Sequence, residues 1–185
     1  MRLNSVNLKR HLTALAALVL LSGTALGAPA SEDQLERLKS ATEDEAKRIA
    51  SEIELEWSKS GSAAMDLLLR RGKDAIEAGN FTLAIGHLTA LTDHAPGFAE
   101  GFHARAEAYY RADLYGPALD DLQTTLELDP THYDAIFGLG TMFQAFGDAR
   151  RAADLFRRVL VLHPNHENAI QALERLKRDG IGREL

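Results

Sequence analysis

The chain has 185 residues, 45% of them hydrophobic and 26% charged, which sets one core-forming domain with some chain to spare. Its net charge is −6 and it has no long basic run, which argues against a nucleic-acid partner, because phosphate contacts need clustered Lys and Arg. No cysteine occurs, so zinc ribbons, thiol catalysts, disulfide frameworks and the cysteine-linked anchor of bacterial lipoproteins are excluded together.

Residues 1–30 read as an export signal. Arg2, Lys9 and Arg10 give a positive start, Leu12 to Leu21 form an apolar run, and Ser22, Gly23 and Thr24 break it. The small residues of "ALGAPA" allow cleavage after Gly27 or after Ala30. The apolar run is well short of the roughly 20 residues that span a bilayer. The expectation is an acidic periplasmic protein without a lipid anchor, which meets the membrane only if the signal stays uncleaved.

Residues 31–62 predict an amphipathic helix and a linker. Leu35, Leu38, Thr42, Ile49, Ile53 and Trp57 fall mostly at steps of three, four or seven, with acids and bases between them. "KSGSA" (Lys59 to Ala63) ends the segment with turn residues. The stripe either packs on the following domain, where it could occupy a groove, or pairs with a second copy. Its few strong heptad positions favour the former.

From Met65 a 34-residue period takes over, marked by Pro96, Pro130 and Pro164. The units are 65–98, 99–132 and 133–166. Their eighth positions are Gly72, Ala106 and Gly140, and their twentieth are Ala84, Ala118 and Ala152. Two antiparallel helices approach closely only where side chains are this small, and large apolar residues fill the surrounding space. Those fillers are Leu68, Phe102 and Ile136 at the fourth position, with Leu88, Leu122 and Phe156 at the twenty-fourth. Gly79, Asp113 and Gly147 share the fifteenth position, where a helix must end in a conformation that Gly and Asp tolerate. Each proline closes the second helix of its unit. Thr131 with Asp134 resembles a capping box opening the next.

This pattern resembles the tetratricopeptide repeat (TPR). The resemblance implies an all-α helical-repeat solenoid of three helix pairs. Residues 167–185 then supply a capping helix, with Ile170, Leu173 and Leu176 as its apolar stripe, and a tail. The departures are a missing tryptophan at the fourth position, and Arg71 and Arg105 where leucine is usual at the seventh.

Seven histidines invite a metal reading, but no HExxH motif occurs and no four ligands share a spacing that would close a site. Helix-end or surface roles are expected for them. No GxSxG elbow occurs, and "GLG" at Gly138 to Gly140 lies inside a repeat helix with no strand before it. Neither catalytic residues, metal nor cofactor are therefore expected, and the protein reads as a non-enzyme.

The resemblance places positions two, five, nine and twelve of each unit on a concave wall, with Asp66, Glu100 and Asp134 as the second positions, and Gln171 and Arg175 on the last helix extend it. The expected partner-binding set is Leu69, Lys73, Ile76, His103, Glu107, Tyr110, Phe137, Thr141, Gln144 and Arg175. It lacks the Lys/Asn/Arg arrangement with which some relatives clamp a terminal carboxylate. Apolar and aromatic anchors among mixed charges suit a protein or peptide segment.

Overall fold

The computed structural model describes residues 30–178. Residues 1–29 of the stretch read as an export signal, and residues 179–185 of the tail, lie outside the described residues. Nine helices and no strand occur among the described residues. None of these helices is long and apolar enough to cross a membrane.

The segment before the repeats forms two helices rather than the single one expected. They are α1 (Glu32–Ser40) and α2 (Glu43–Trp57), with extended backbone at Ala41 between them. The break has a local cause: two helix starts lie close together. Ser31 caps α1 by accepting from Gln34 N–H, and Glu45 accepts from both the N–H and the hydroxyl of Thr42.

The three helix pairs follow. They are α3 (Ala63–Glu77) with α4 (Phe81–His94), α5 (Ala99–Arg111) with α6 (Tyr115–Leu128), and α7 (Tyr133–Ala145) with α8 (Ala149–Leu162). A last helix, α9 (Glu167–Arg178), stacks on α8. Gly79, Asp113 and Gly147 all take positive φ, at 72°, 60° and 81°, and turn the first helix of each pair into the second. At the crossing points space is tight: a Cβ on Gly140 would stand 2.7 Å from Phe156, and one on Gly72 2.5 Å from Leu88. Ala84, Ala118 and Ala152 are fully buried opposite them.

One expected cap is corrected. Thr131 does not open α7; its N–H and hydroxyl both donate to Asp129 Oδ1. His132 is the capping residue, its Nδ1 accepting from Ala135 N–H at 3.3 Å. His166 does the same for Ala169 N–H at 3.1 Å.

The α1–α2 hairpin folds back on its own chain. Leu35, Leu38, Ile49, Ile53 and Trp57 share one core with Tyr133, Ile136, Phe156, Val159 and Ala169 of the third pair and α9. Burying each such side chain is worth about 1.5–3 kcal/mol. Polar ties fix the register: Asn165 donates to Ala41 O at 3.0 Å, and Lys47 pairs with Glu167 at 3.0 Å. The arginine at the seventh position of the second repeat is also accommodated. Arg105 forms a bidentate pair with Asp121 (2.7 and 2.8 Å) and donates to Thr92 at 2.6 Å, bridging three helices.

Candidate partner-binding groove

The inner wall is built by the first helix of each pair, because each repeats its side-chain directions every 34 residues. On α5 and α7 this brings His103, Glu107, Tyr110, Phe137 and Thr141 around one cavity of about 460 Å³. Its floor is Ala106, Leu122, Gly138 and Met142. Gly138 leaves room there, with Leu122 the nearest side chain to where its Cβ would stand, at 3.4 Å. The rim carries one ion pair, Arg111 with Glu107 at 2.9 Å. Tyr110 continues outward into an aromatic edge, 5.7 Å from Tyr115, which in turn meets Phe146 edge-on at 5.7 Å.

Two expected wall residues are corrected. Leu69 and Ile76 are only 3% and 4% exposed and lie in a core with Ala104 and Ala108 of α5. The reason is packing: α3 presses against α5 as well as α4, so these two positions face the next pair instead of a ligand. Lys73 is half-buried and pairs with Glu100. Gln144 and Arg175 do not line the cavity.

Behind His103 lies a network that wall positions alone do not predict. Glu100, 6% exposed, binds His103 Nδ1 at 3.2 Å, His132 Nε2 at 3.1 Å and the Lys73 ammonium. Burial pushes the Glu100 carboxyl up, but His103, His132 and Lys73 together hold it well below the usual carboxylate range. Burial likewise pushes the His103 imidazolium down; Glu100 and Asp134 outweigh it and raise its pKa. Trp57, at the end of α2, stacks on His132 with ring centres 3.9 Å apart and planes at 9°. The N-terminal hairpin thus reaches the back of the groove through Trp57, His132, Glu100 and His103.

Glu100, His103 and His132 are the one group among the described residues whose ligand atoms converge, all within 4.8 Å. They fit an ion-pair network better than a metal. His132 Nδ1 accepts a backbone N–H, so its ring proton sits on Nε2 and points at Glu100. A metal on Nε2 would need that proton on Nδ1, facing Ala135 N–H, and would compete with the Lys73 ammonium for Glu100.

Three histidines take the helix-end role expected of them, but buried rather than at the surface. His132, His163 and His166 are 0%, 7% and 9% exposed, and each sits at a helix end. A signal for two of them was present. Glu100 precedes His132 by 32 residues, and Asp134 precedes His166 by 32, so positions two and 34 carry an acid and a histidine in successive units.

The Tetratricopeptide repeat family profile matches residues 134–166. A TPR repeat-containing protein of Rhizobium etli is 29% identical over 133 residues. That alignment spans 72% of this chain and 65% of the relative, just under two thirds of its length. Among solved structures, the second TPR domain of human RPAP3 in complex with an HSP70 peptide has a TM-score of 0.55. It is 26% identical, covering 60% of this chain and 92% of that one. MamA has a TM-score of 0.58 at 20% identity, covering 81% and 86% of the two chains. With its 34-residue period, its three helix pairs and a matched third unit, the chain is a tetratricopeptide-repeat protein.

Proposed function

We propose that this chain is a non-enzymatic scaffold of the bacterial periplasm that binds a segment of a partner protein in the α5–α7 groove. The observation carrying this reading is the convergence of His103, Glu107, Tyr110, Phe137 and Thr141 on one largely apolar cavity. A few aromatic anchors with a polar edge are the composition of a segment-binding surface. The similar second TPR domain of RPAP3, solved in complex with an HSP70 peptide, supports peptide binding by this fold. The wall here lacks a carboxylate clamp, so the partner contributes an internal stretch with a large apolar residue rather than a chain end.

The test is affinity capture with the double variant Tyr110→Ala, Phe137→Ala. Both side chains are partly exposed, so the helical fold should persist by circular dichroism while a captured partner loses binding by tenfold or more, about 1.4 kcal/mol. Undiminished capture by the folded variant sinks the groove reading.

Export rests on the residue pattern of 1–30, and N-terminal sequencing of the protein recovered from a bacterial periplasm checks it. Self-association through the N-terminal segment is the weaker reading. Leu35, Leu38, Ile49 and Ile53 are all buried on the chain's own third repeat and α9.

A further inference from the structure

A second cavity, of about 370 Å³, lies between α2 and the start of α7 and α9. Its lining is mainly polar, unlike that of the groove, with which it shares Asp134 and Asn168. Four of its polar side chains have hydrogen-bonding capacity left over. The Glu54 carboxylate takes part in no hydrogen bond or ion pair among the described residues, and Asp134 has only a 3.5 Å contact from His166. Tyr133 and His163, 1% and 7% exposed, line the same cavity, and the Tyr133 hydroxyl and His163 Nδ1 are buried without a partner. Leaving such atoms unpaired is costly, so a ligand that satisfied them would be held the more tightly.

The charge balance says which ligand. The one lysine on the wall, Lys47, is already shared between Glu43 and Glu167. Glu54 and Asp134 therefore leave an excess of negative charge. Burial and the neighbouring carboxylates of Asp134 and Glu100 push the Glu54 carboxyl up, against Lys73 and His166. Burial holds His163 down at about 4, so it is a neutral ring near pH 7. A single metal ion is a poor match, because the one convergent ligand group among the described residues is Glu100–His103–His132. A cation whose N–H groups spread over several acceptors matches.

We propose that the cavity between α2 and the third repeat is a binding site for a primary ammonium group, carried by a small free amine or by a lysine side chain. Glu54 and Asp134 neutralise the charge, and the Tyr133 hydroxyl and a His163 nitrogen take N–H donors. This site goes beyond the groove reading and does not depend on it.

Trp57 is the chain's single tryptophan and stands 4.8 Å from Tyr133, so its emission reports the site. The full chain would be titrated with 1,5-diaminopentane and, separately, with the peptide acetyl-Gly-Lys-Gly-amide. Tetramethylammonium, which has no N–H, and calcium chloride serve as controls. The expected result is a saturable emission change with at least one of the two amine probes, the tighter one identifying the source. Glu54→Gln should weaken it about tenfold or more, the loss of a charge-assisted hydrogen bond. Glu56→Gln, the same charge change on an α2 residue outside the cavity, should leave the Kd within about twofold. No saturation with either amine, equal binding by Glu54→Gln, or equal binding of tetramethylammonium or calcium would overturn the proposal.

Discussion

The seam between the first and second repeats and the seam between the second and third use the same two positions for different ends. At the first, position 34 is Phe98, buried in an apolar cluster, and the acid at position two, Asp66, accepts from the N–H and hydroxyl of Ser60 in the linker. At the second, position 34 is His132 and position two is Glu100, and the pair gathers His103, Lys73 and Trp57. The difference follows from what lies above each seam. The linker needs only an acceptor, whereas the hairpin brings an aromatic ring and needs a flat polar partner that is itself held. A repeat scaffold can thus keep its backbone period and still make one seam structural and the next a junction between hairpin and groove.

The largest predicted effect separates hairpin from solenoid. Trp57→Ala should remove about 3–5 kcal/mol of hairpin docking. Hydrogen exchange should then rise across 32–57 while 63–128, whose core the hairpin does not enter, stays protected. Uniform loss of protection would show that the two regions fold as one unit.

Next comes Glu100→Gln, which leaves Lys73 and the two histidines without their carboxylate. A cost of about 2–3 kcal/mol is expected in denaturant unfolding. Asp66→Asn at the first seam should cost only about 1 kcal/mol, as a lost linker hydrogen bond. Equal costs would erase the contrast between seams.

A pH profile sharpens it further. His103 has a raised pKa, so its contribution is complete below the ordinary histidine value of about 6.5 and fades as pH rises through the folded value. His163, held down at about 4, acts oppositely: its contribution is present above about 6.5 and is lost as pH falls toward 4. Stability should therefore slope downward on both sides of pH 6–7. His103→Asn should flatten the alkaline limb, and His163→Phe the acid limb. A profile unchanged by either substitution would contradict the assignment.

The smallest effect concerns the turns. Gly147→Ala, at φ 81°, should cost about 1 kcal/mol by thermal unfolding, with the groove unaffected.

The solenoid was legible because its causes are periodic: Pro130 with its partners, the small residues at the crossings and the fifteenth-position turns each recur at 34. The groove was half legible. Tyr110 and Phe137 stand where the repeat pattern puts them, but Leu69 and Ile76 occupy equivalent positions and are buried. Periodicity fixes a side chain's direction and not what packs against it; the first unit's inner face is covered by α5, and no local pattern records that. The two N-terminal helices could have been read from Ser31–Gln34 and Thr42–Glu45, since both capping signals are in plain order. Trp57 on His132 could not, because 75 residues separate them and only the folded hairpin joins them.

Whether the α5–α7 cavity receives a partner segment can be read by site-specific photocrosslinking in bacterial cells. A photoreactive residue would replace Glu107 or Thr141 on the wall, with Val161, 68% exposed on α8, as the control position. The expected result is one shared crosslinked partner from 107 and 141 that is absent from 161 and lost with Tyr110→Ala. The same partner captured from 161, or none from either wall position, would contradict it.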